Sequence, residues 1–155
     1  MPPFEINHLS SVKEFEGREL PPTDWLVLTQ DRIQTFADAT EDRQWIHVDP
    51  ERAAPESPYG GTIAHGFLTL SLLSYFSGQA IRIREGVGIR LNYGLNRVRF
   101  PAAVRAGSAI RARVTLLSVK ESAAFVDIIF AVMIETQGAD KPACVAEWLV
   151  RYYRA

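Results

Sequence analysis

Asp42 and His47 stand five residues apart in the stretch Glu41-Asp42-Arg43-Gln44-Trp45-Ile46-His47-Val48-Asp49-Pro50. A carboxylate and an imidazole that converge can hold one water between them and act as acid and base, their protons coupled. On a regular helix of ~3.6 residues per turn this spacing splays the two side chains roughly 140° apart. Convergence therefore needs an irregular segment. Residues 39–58 supply one: they are polar and are broken by Asp49-Pro50 and Glu56-Ser57-Pro58, with room for one short helix at 51–54. The structural alternative is that Asp42 caps a turn while His47 packs beneath Trp45 or Ile46. Gln44, between the two, could orient the carboxylate or the water; the alternative is an exposed loop glutamine.

A second candidate is Gly60-Gly61-Thr62-Ile63-Ala64-His65-Gly66, which leads into a strongly apolar helical pattern. Unpaired N–H groups at a helix start can bind a developing oxyanion, and glycine admits a ligand close to the backbone; Gly66 is the donor to consider first. Alternatively the glycines only make the turn, and Gly66 only lets the helix approach a strand. His65 reads as a core or capping histidine rather than a second base. Along the helix Ser71, Ser74 and Gly78 share one line. A serine there usually bonds a carbonyl one turn back, though Ser74 could support a catalytic group. Arg82, Arg84, Arg90, Arg97, Arg99, Arg105, Arg111 and Arg113 crowd one third of the chain; most belong on solvated strand faces, and some have forks suited to phosphate. Cys144 lies in an apolar strand and reads as core.

The elements that must hold these residues follow from periodicity. Thr29 is a helix cap, followed by apolar residues at helical spacing over 30–38. A longer helix spans 64–79, apolar on nearly every side and so expected to be buried all round. Behind it the period drops to two in four strand-like segments, 89–100, 110–116, 125–134 and 146–152, with a bulge near Gly94 to explain a slip of phase. The third is almost continuously apolar and is expected at the sheet centre, covered on both faces. The turns at 101–108 and 137–141 are short enough for antiparallel neighbours. The first half is thus read as helical and the second as sheet. The sum is an α+β domain, a sheet curling around one helix, with an edge that invites pairing between two copies.

At 155 residues, 47% hydrophobic and 23% charged, the chain has the size and composition of a single soluble domain. Its first 20 residues are the segment whose place in that domain is least defined. A net charge of −1 argues against nucleic acid as the main partner. One cysteine excludes an internal disulfide and a cysteine zinc cluster, and fits the reducing cytoplasm. Residues 1–10 lack the basic start and apolar run of a signal peptide. The apolar helix is short of the ~20 residues a bilayer needs, so no membrane partner is expected.

From about residue 20 onward the chain resembles the MaoC-like, R-specific enoyl-CoA hydratases of the hot-dog fold, the hydratase 2 enzymes. The resemblance rests on FADATEDRQWIHVDPERA from Phe36, GGTIAHGFLTLSLLS from Gly60 and LNYGLNRVRFPAAVRAG from Leu91. It implies that Asp42 and His47 are the active pair, that the Gly66 N–H is an oxyanion donor and that Ser74 supports the site. His65, Asn92, Tyr93, Gly94 and Arg97, in or beside those blocks, are candidate substrate contacts. It further implies a homodimer that acts on an enoyl-CoA or 3-hydroxyacyl-CoA with no metal or redox cofactor. Where many members have Asn-Pro between the catalytic residues, this chain has Gln44-Trp45, the variant of a NodN-like bacterial subgroup, and the bulk of Trp45 bears on acyl-chain preference. The rival functions are a hot-dog thioesterase, which would release free thiol, and a non-catalytic acyl-CoA binding protein.

Overall fold

The computed structural model describes residues 2–155. Thr29 caps α1 (Gln30–Thr40) as expected, its hydroxyl accepting from the Arg32 N–H at 3.2 Å, and the helix buries Ile33 and Ala37. α1 stops at Glu41, whose φ of 61° is the left-handed conformation that a β-carbon disfavours. The chain turns sharply there and delivers Asp42 back toward the core.

Two short helices follow, where one was expected: α2 (Trp45–Val48) and α3 (Pro50–Glu56). In α3, Pro50 occupies the first turn and the Asp49 carboxylate accepts from the Arg52 N–H at 3.0 Å. α2 holds two β-branched residues that favour helix only weakly. Tertiary bonds decide its shape, the Ile46 carbonyl accepting from the Ile63 N–H at 3.0 Å.

The long apolar helix is divided into α4 (Gly66–Ser71) and α5 (Leu73–Ala80). At the joint the Leu72 N–H is shared between the Leu68 and Thr69 carbonyls, both at 3.3 Å, a local tightening toward 3-10 geometry. Burial on all sides was expected, and the structure corrects this. Phe76, Leu68 and Leu73 face the sheet, but Phe67 is 69% and Tyr75 47% exposed, because the sheet covers only one side. Ser71, Ser74 and Gly78 lie along that uncovered side, and Ser71 bonds back to the Phe67 carbonyl at 2.6 Å.

Nor is the first half purely helical. β1 (Phe4–His8), followed by a 3-10 turn over Leu9–Phe15, pairs in parallel with β3 (Ile81–Glu85). β2 (Leu26–Val27) adds two residues to the main sheet. β3 leaves α5 without an intervening glycine or proline, so the change of period is hidden in the sequence.

The four expected strands are present as β4 (Val87–Arg99), β5 (Ala109–Glu121), β6 (Phe125–Thr136) and β7 (Cys144–Arg154). Their order is β2-β5-β6-β7-β4. β4 therefore pairs with β7 and not with its sequence neighbour β5, contrary to the expectation from the length of the 101–108 turn. That turn is occupied elsewhere: Ala64 N–H donates to the Val104 carbonyl at 2.8 Å and Ala106 N–H to the Thr62 carbonyl at 2.9 Å. The phase slip in β4 is real, with register shifts at Asn92/Gly94 and Asn96/Arg99 and Arg97 at φ 50°.

β6 is central, but only one of its faces is deeply buried. Ile128, Phe130 and Ile134 point into the core with Phe76, Trp148 and Val150. The other face carries half-buried ion pairs, including the two-pronged Arg151–Asp127 contact at 2.7 and 2.8 Å and Glu135 bonded to Arg111 and Arg113. One buried cluster runs from Ile6 to Tyr152. The result is a curled antiparallel sheet around a helix, the hot-dog arrangement. Among the described residues no helix is long and apolar enough to cross a membrane.

Candidate active site

His47 sits in α2, 8% exposed. Its Nδ1 lies 2.7 Å from the Ile63 carbonyl, which can only accept, so Nδ1 carries the proton and Nε2 presents its lone pair. Burial is the main influence on this imidazole and holds it below the ordinary histidine range. The Ile63 bond and the Asp42 charge pull the other way, and neighbouring His65 adds to the lowering. His47 is thus neutral at pH 7, as a general base must be.

Asp42 is exposed and lies outside α2, so the helical splay does not apply. One donor atom each of Asp42, His47 and His65 lies within 4.8 Å of the others. The stretch was expected to be irregular; the structure makes His47 helical and Asp42 not, and the pair converges all the same. His47 packs on His65, their rings stacked at 3.8 Å, while the Trp45 ring lies under the Arg52 guanidinium at 4.3 Å.

His65 is 3% exposed, the core position of the two expected; it is the N-cap residue of α4, but its side chain makes no cap bond there. Its Nε2 lies 2.9 Å from the Asp42 backbone carbonyl and therefore donates to it. Its Nδ1 is buried with no hydrogen-bond partner among the described residues, an arrangement that costs about 1–3 kcal/mol and is kept only for a reason. The Asp42, His47 and His65 atoms are close enough to suggest a metal cradle. Two rings stacked at 3.8 Å with 25° between their planes cannot both aim a lone pair at one ion, so the trio in this arrangement does not fit one.

Gly66 opens α4, and its N–H has no carbonyl a turn earlier inside the helix to bond. His47 and Gly66 both line a cavity of about 530 Å³ whose other walls include Phe100, Pro101, Ala102, Ala103 and Val104. Phe100 lays its ring on Gly66: a β-carbon there would meet three ring atoms at 3.1–3.2 Å. The glycine thus serves close packing as well as exposing its amide. Gly60, at φ 70°, makes the turn before it, and the Arg105 guanidinium donates to the Gly60 carbonyl at 2.8 Å, so this arginine braces the loop.

Of the candidates, His47 and Gly66 line this cavity; Asp42 and His65 lie beside His47 but are not among its lining residues, and neither are the others. Ser74 lies 3.5 Å from the Asn92 side chain and, with Tyr93 and Gly94, lines a separate cavity of about 280 Å³ between α5 and β4. Gln44 is exposed and makes no side-chain cap at α2, and Arg97 stands 4.0 Å from Glu147 near one edge of the sheet. Trp45 does not line the His47 cavity, so its bulk does not set that cavity's size. Cys144 is core, its thiol pushed up to about 11 by burial.

Sequence reasoning missed Gln30. From the first turn of α1 its amide N–H donates to the His47 carbonyl at 2.7 Å, and its carbonyl accepts from the Thr62 hydroxyl. One side chain thereby ties α2 to the glycine loop. Nothing in spacing marks it, since a glutamine at a helix start is unremarkable in sequence.

Residues 12–132 match the family model described as MaoC like domain. The chain is 49% identical over 137 residues to 3-hydroxyacyl-thioester dehydratase Z of Mycobacterium tuberculosis, covering 88% of this chain and 89% of that protein. It is 48% identical over 144 residues to nodulation protein N of Rhizobium leguminosarum bv. viciae, covering 91% and 88%. The solved (R)-hydratase from A. caviae shares the fold at a TM-score of 0.67 and 23% identity, over 87% of this chain and 94% of that one. The chain belongs to the MaoC-like family and is an enzyme of the hydratase and dehydratase type.

Proposed function

We propose that this enzyme reversibly hydrates trans-2-enoyl-CoA to (R)-3-hydroxyacyl-CoA, with Asp42 and His47 as its acid/base pair. The observation that carries this reading is the His47 tautomer: Nδ1–H is held by the Ile63 carbonyl, which leaves Nε2 basic in the cavity that Gly66 also lines. Nε2 takes a proton from water as its oxygen bonds C3. The C2=C3 electron pair shifts toward C2 and onto the thioester oxygen, where the Gly66 N–H meets the enolate charge. The proton taken from water passes from His47 to the Asp42 carboxylate, which delivers it to C2, so both groups return to their starting state. Dehydration is the reverse. The names of the 49% identical dehydratase and of the (R)-hydratase support the direction of this chemistry.

Loss of enoyl absorbance across a series of 2-enoyl-CoA chain lengths, with chiral analysis of the product, tests the proposal. Release of free CoA thiol would mark a thioesterase instead, and tight binding with unchanged absorbance a binding protein. The pH profile offers a second check. Because burial lowers the His47 imidazole, the base stays unprotonated further into acid, so kcat/KM should hold down to ~6.5 and fall about tenfold per unit only below that. A fall beginning well above that value would remove His47 as the base.

The working form is a homodimer, a single domain per chain, in the cytoplasm. β4 ends the sheet with an unpaired edge, and Ile89, Leu91, Tyr93 and Leu95 along it are exposed beside Phe67 and Tyr75. Leu91→Lys should weaken self-association by about tenfold or more, measured by sedimentation. A wild-type chain that sediments as a monomer at micromolar concentration would refute the dimer.

A further inference from the structure

We propose that His65 is a positioning residue for the acid/base pair, holding the backbone of Asp42 with its Nε2–H while its ring face supports the imidazole of His47. This rests on Asp42 and His47 being that pair. A histidine 3% exposed, with Nδ1 buried and unpartnered among the described residues, is a costly choice for a core position that phenylalanine or leucine could fill. What the imidazole supplies there is a donor and a flat face at once. The donor meets the Asp42 carbonyl at 2.9 Å, next to Glu41 at φ 61°, where the left-handed backbone would otherwise relax. The face meets His47 at 3.8 Å with 25° between the planes, and Phe36 closes the other approach with its ring centroid at 5.0 Å.

His65 alone of the described residues both bonds the Asp42 backbone and stacks on His47. Asp42 is exposed and lies beyond the end of α1, so the His65 bond is what fixes where its carboxylate starts from. His47 is fixed along its edge by Ile63 and across its face by His65. The distance between carboxylate and imidazole is therefore set through one ring. His65 also adds to the lowering of the His47 imidazole, which helps keep the base unprotonated.

Two substitutions separate the donor from the face. His65→Gln carries an amide N–H to the position of Nε2 and loses the ring; His65→Phe keeps a ring and loses the donor. His65→Phe should lower kcat by about 10² with KM changed little, the size of effect that a misplacement of roughly 1 Å produces. His65→Gln should recover at least about tenfold of that loss. Equal loss in both variants, or full kcat in both, overturns the proposal, and thermal melting of each variant shows whether it is folded.

A readout without turnover keeps this apart from the hydratase reading. The chain has three histidines, so nitrogen-15 spectra can assign each ring. The proposal expects the His65 proton on Nε2 and the His47 proton on Nδ1, and in His65→Phe a change at the Asp42 amide resonance. A His65 proton on Nδ1, or an unmoved Asp42 amide, overturns it even if hydration is observed. If the tautomers are as expected but no enoyl-CoA is hydrated by the wild type, the hydratase reading fails and the scaffold role of His65 stands.

Discussion

Asp42→Asn should lower turnover of a short 2-enoyl-CoA by about 10² or more, the usual contribution of a general acid or base. Because the Asp42 side chain is exposed, the loss of charge should shift stability by no more than about 0.5 kcal/mol, so the loss reports chemistry. His47→Ala should cost as much in turnover, but it also strips the half-buried Ile63 carbonyl of its partner and empties a buried ring position, so stability changes with it. His47→Asn avoids that confusion: its amide N–H falls where Nδ1–H was, while the basic Nε2 is gone. The double variant Asp42→Asn/His47→Asn should be little worse than either single one, since the two residues act on one water as a unit. Unchanged turnover in both single variants would remove the pair from the mechanism.

The second large effect is expected at Gly66. Proline is favoured at the first position of a helix, and the residue before it, His65, already has extended geometry at φ −60° and ψ 137°. Gly66→Pro therefore preserves the start of α4 while deleting the N–H that would meet the enolate. kcat should fall by about 10² to 10³, the range for loss of one oxyanion donor. Gly66→Ala is the control. Its β-carbon meets the Phe100 ring at 3.1–3.2 Å, but that side chain is 41% exposed and can give way, and the N–H remains. Equal losses in the two variants would point to Phe100 packing rather than to the donor.

β5, β6 and β7 were legible because each buries one face, which imposes a period of two on Ile110–Ala112–Val114 and on Ala146–Trp148–Val150, whereas β4 alternates although its apolar residues are exposed. Their order was not. Whether residues 101–108 close a hairpin or cross to another strand depends on where their backbone bonds go, and those go to residues 62 and 64. β1, β2 and β3 escaped notice because strands of two to five residues carry too few alternations to show. The uncovered side of α4 and α5 was invisible for a different reason. Phe67 and Tyr75 look like core in sequence, and only the sheet's curvature decides that they are not.

At the site, Asp42, His47 and Gly66 could be picked out from residue type, and the three sequence blocks tied them together. What could not be read was support: the Ile63 carbonyl and the amide of Gln30 act through backbone groups or a single side chain with no spacing rule. Ser74, expected to support the catalytic pair, and Asn92 and Gly94, expected as substrate contacts, instead line the cavity at the β4 edge and not the one at His47. Trp45, which looked able to narrow the substrate site, is spent on Arg52.

The paired segments 62–64 and 104–106 join two stretches of chain with unlike duties. Asp42, His47, His65, Gly66 and Gln30 come from one run, Gln30 to Gly66, whereas Phe100, Pro101, Ala102 and Ala103, which line the cavity, come from the second. Substitutions at Ala102 or Ala103 therefore reshape the cavity wall without touching Asp42, His47 or their bonds to Ile63 and His65.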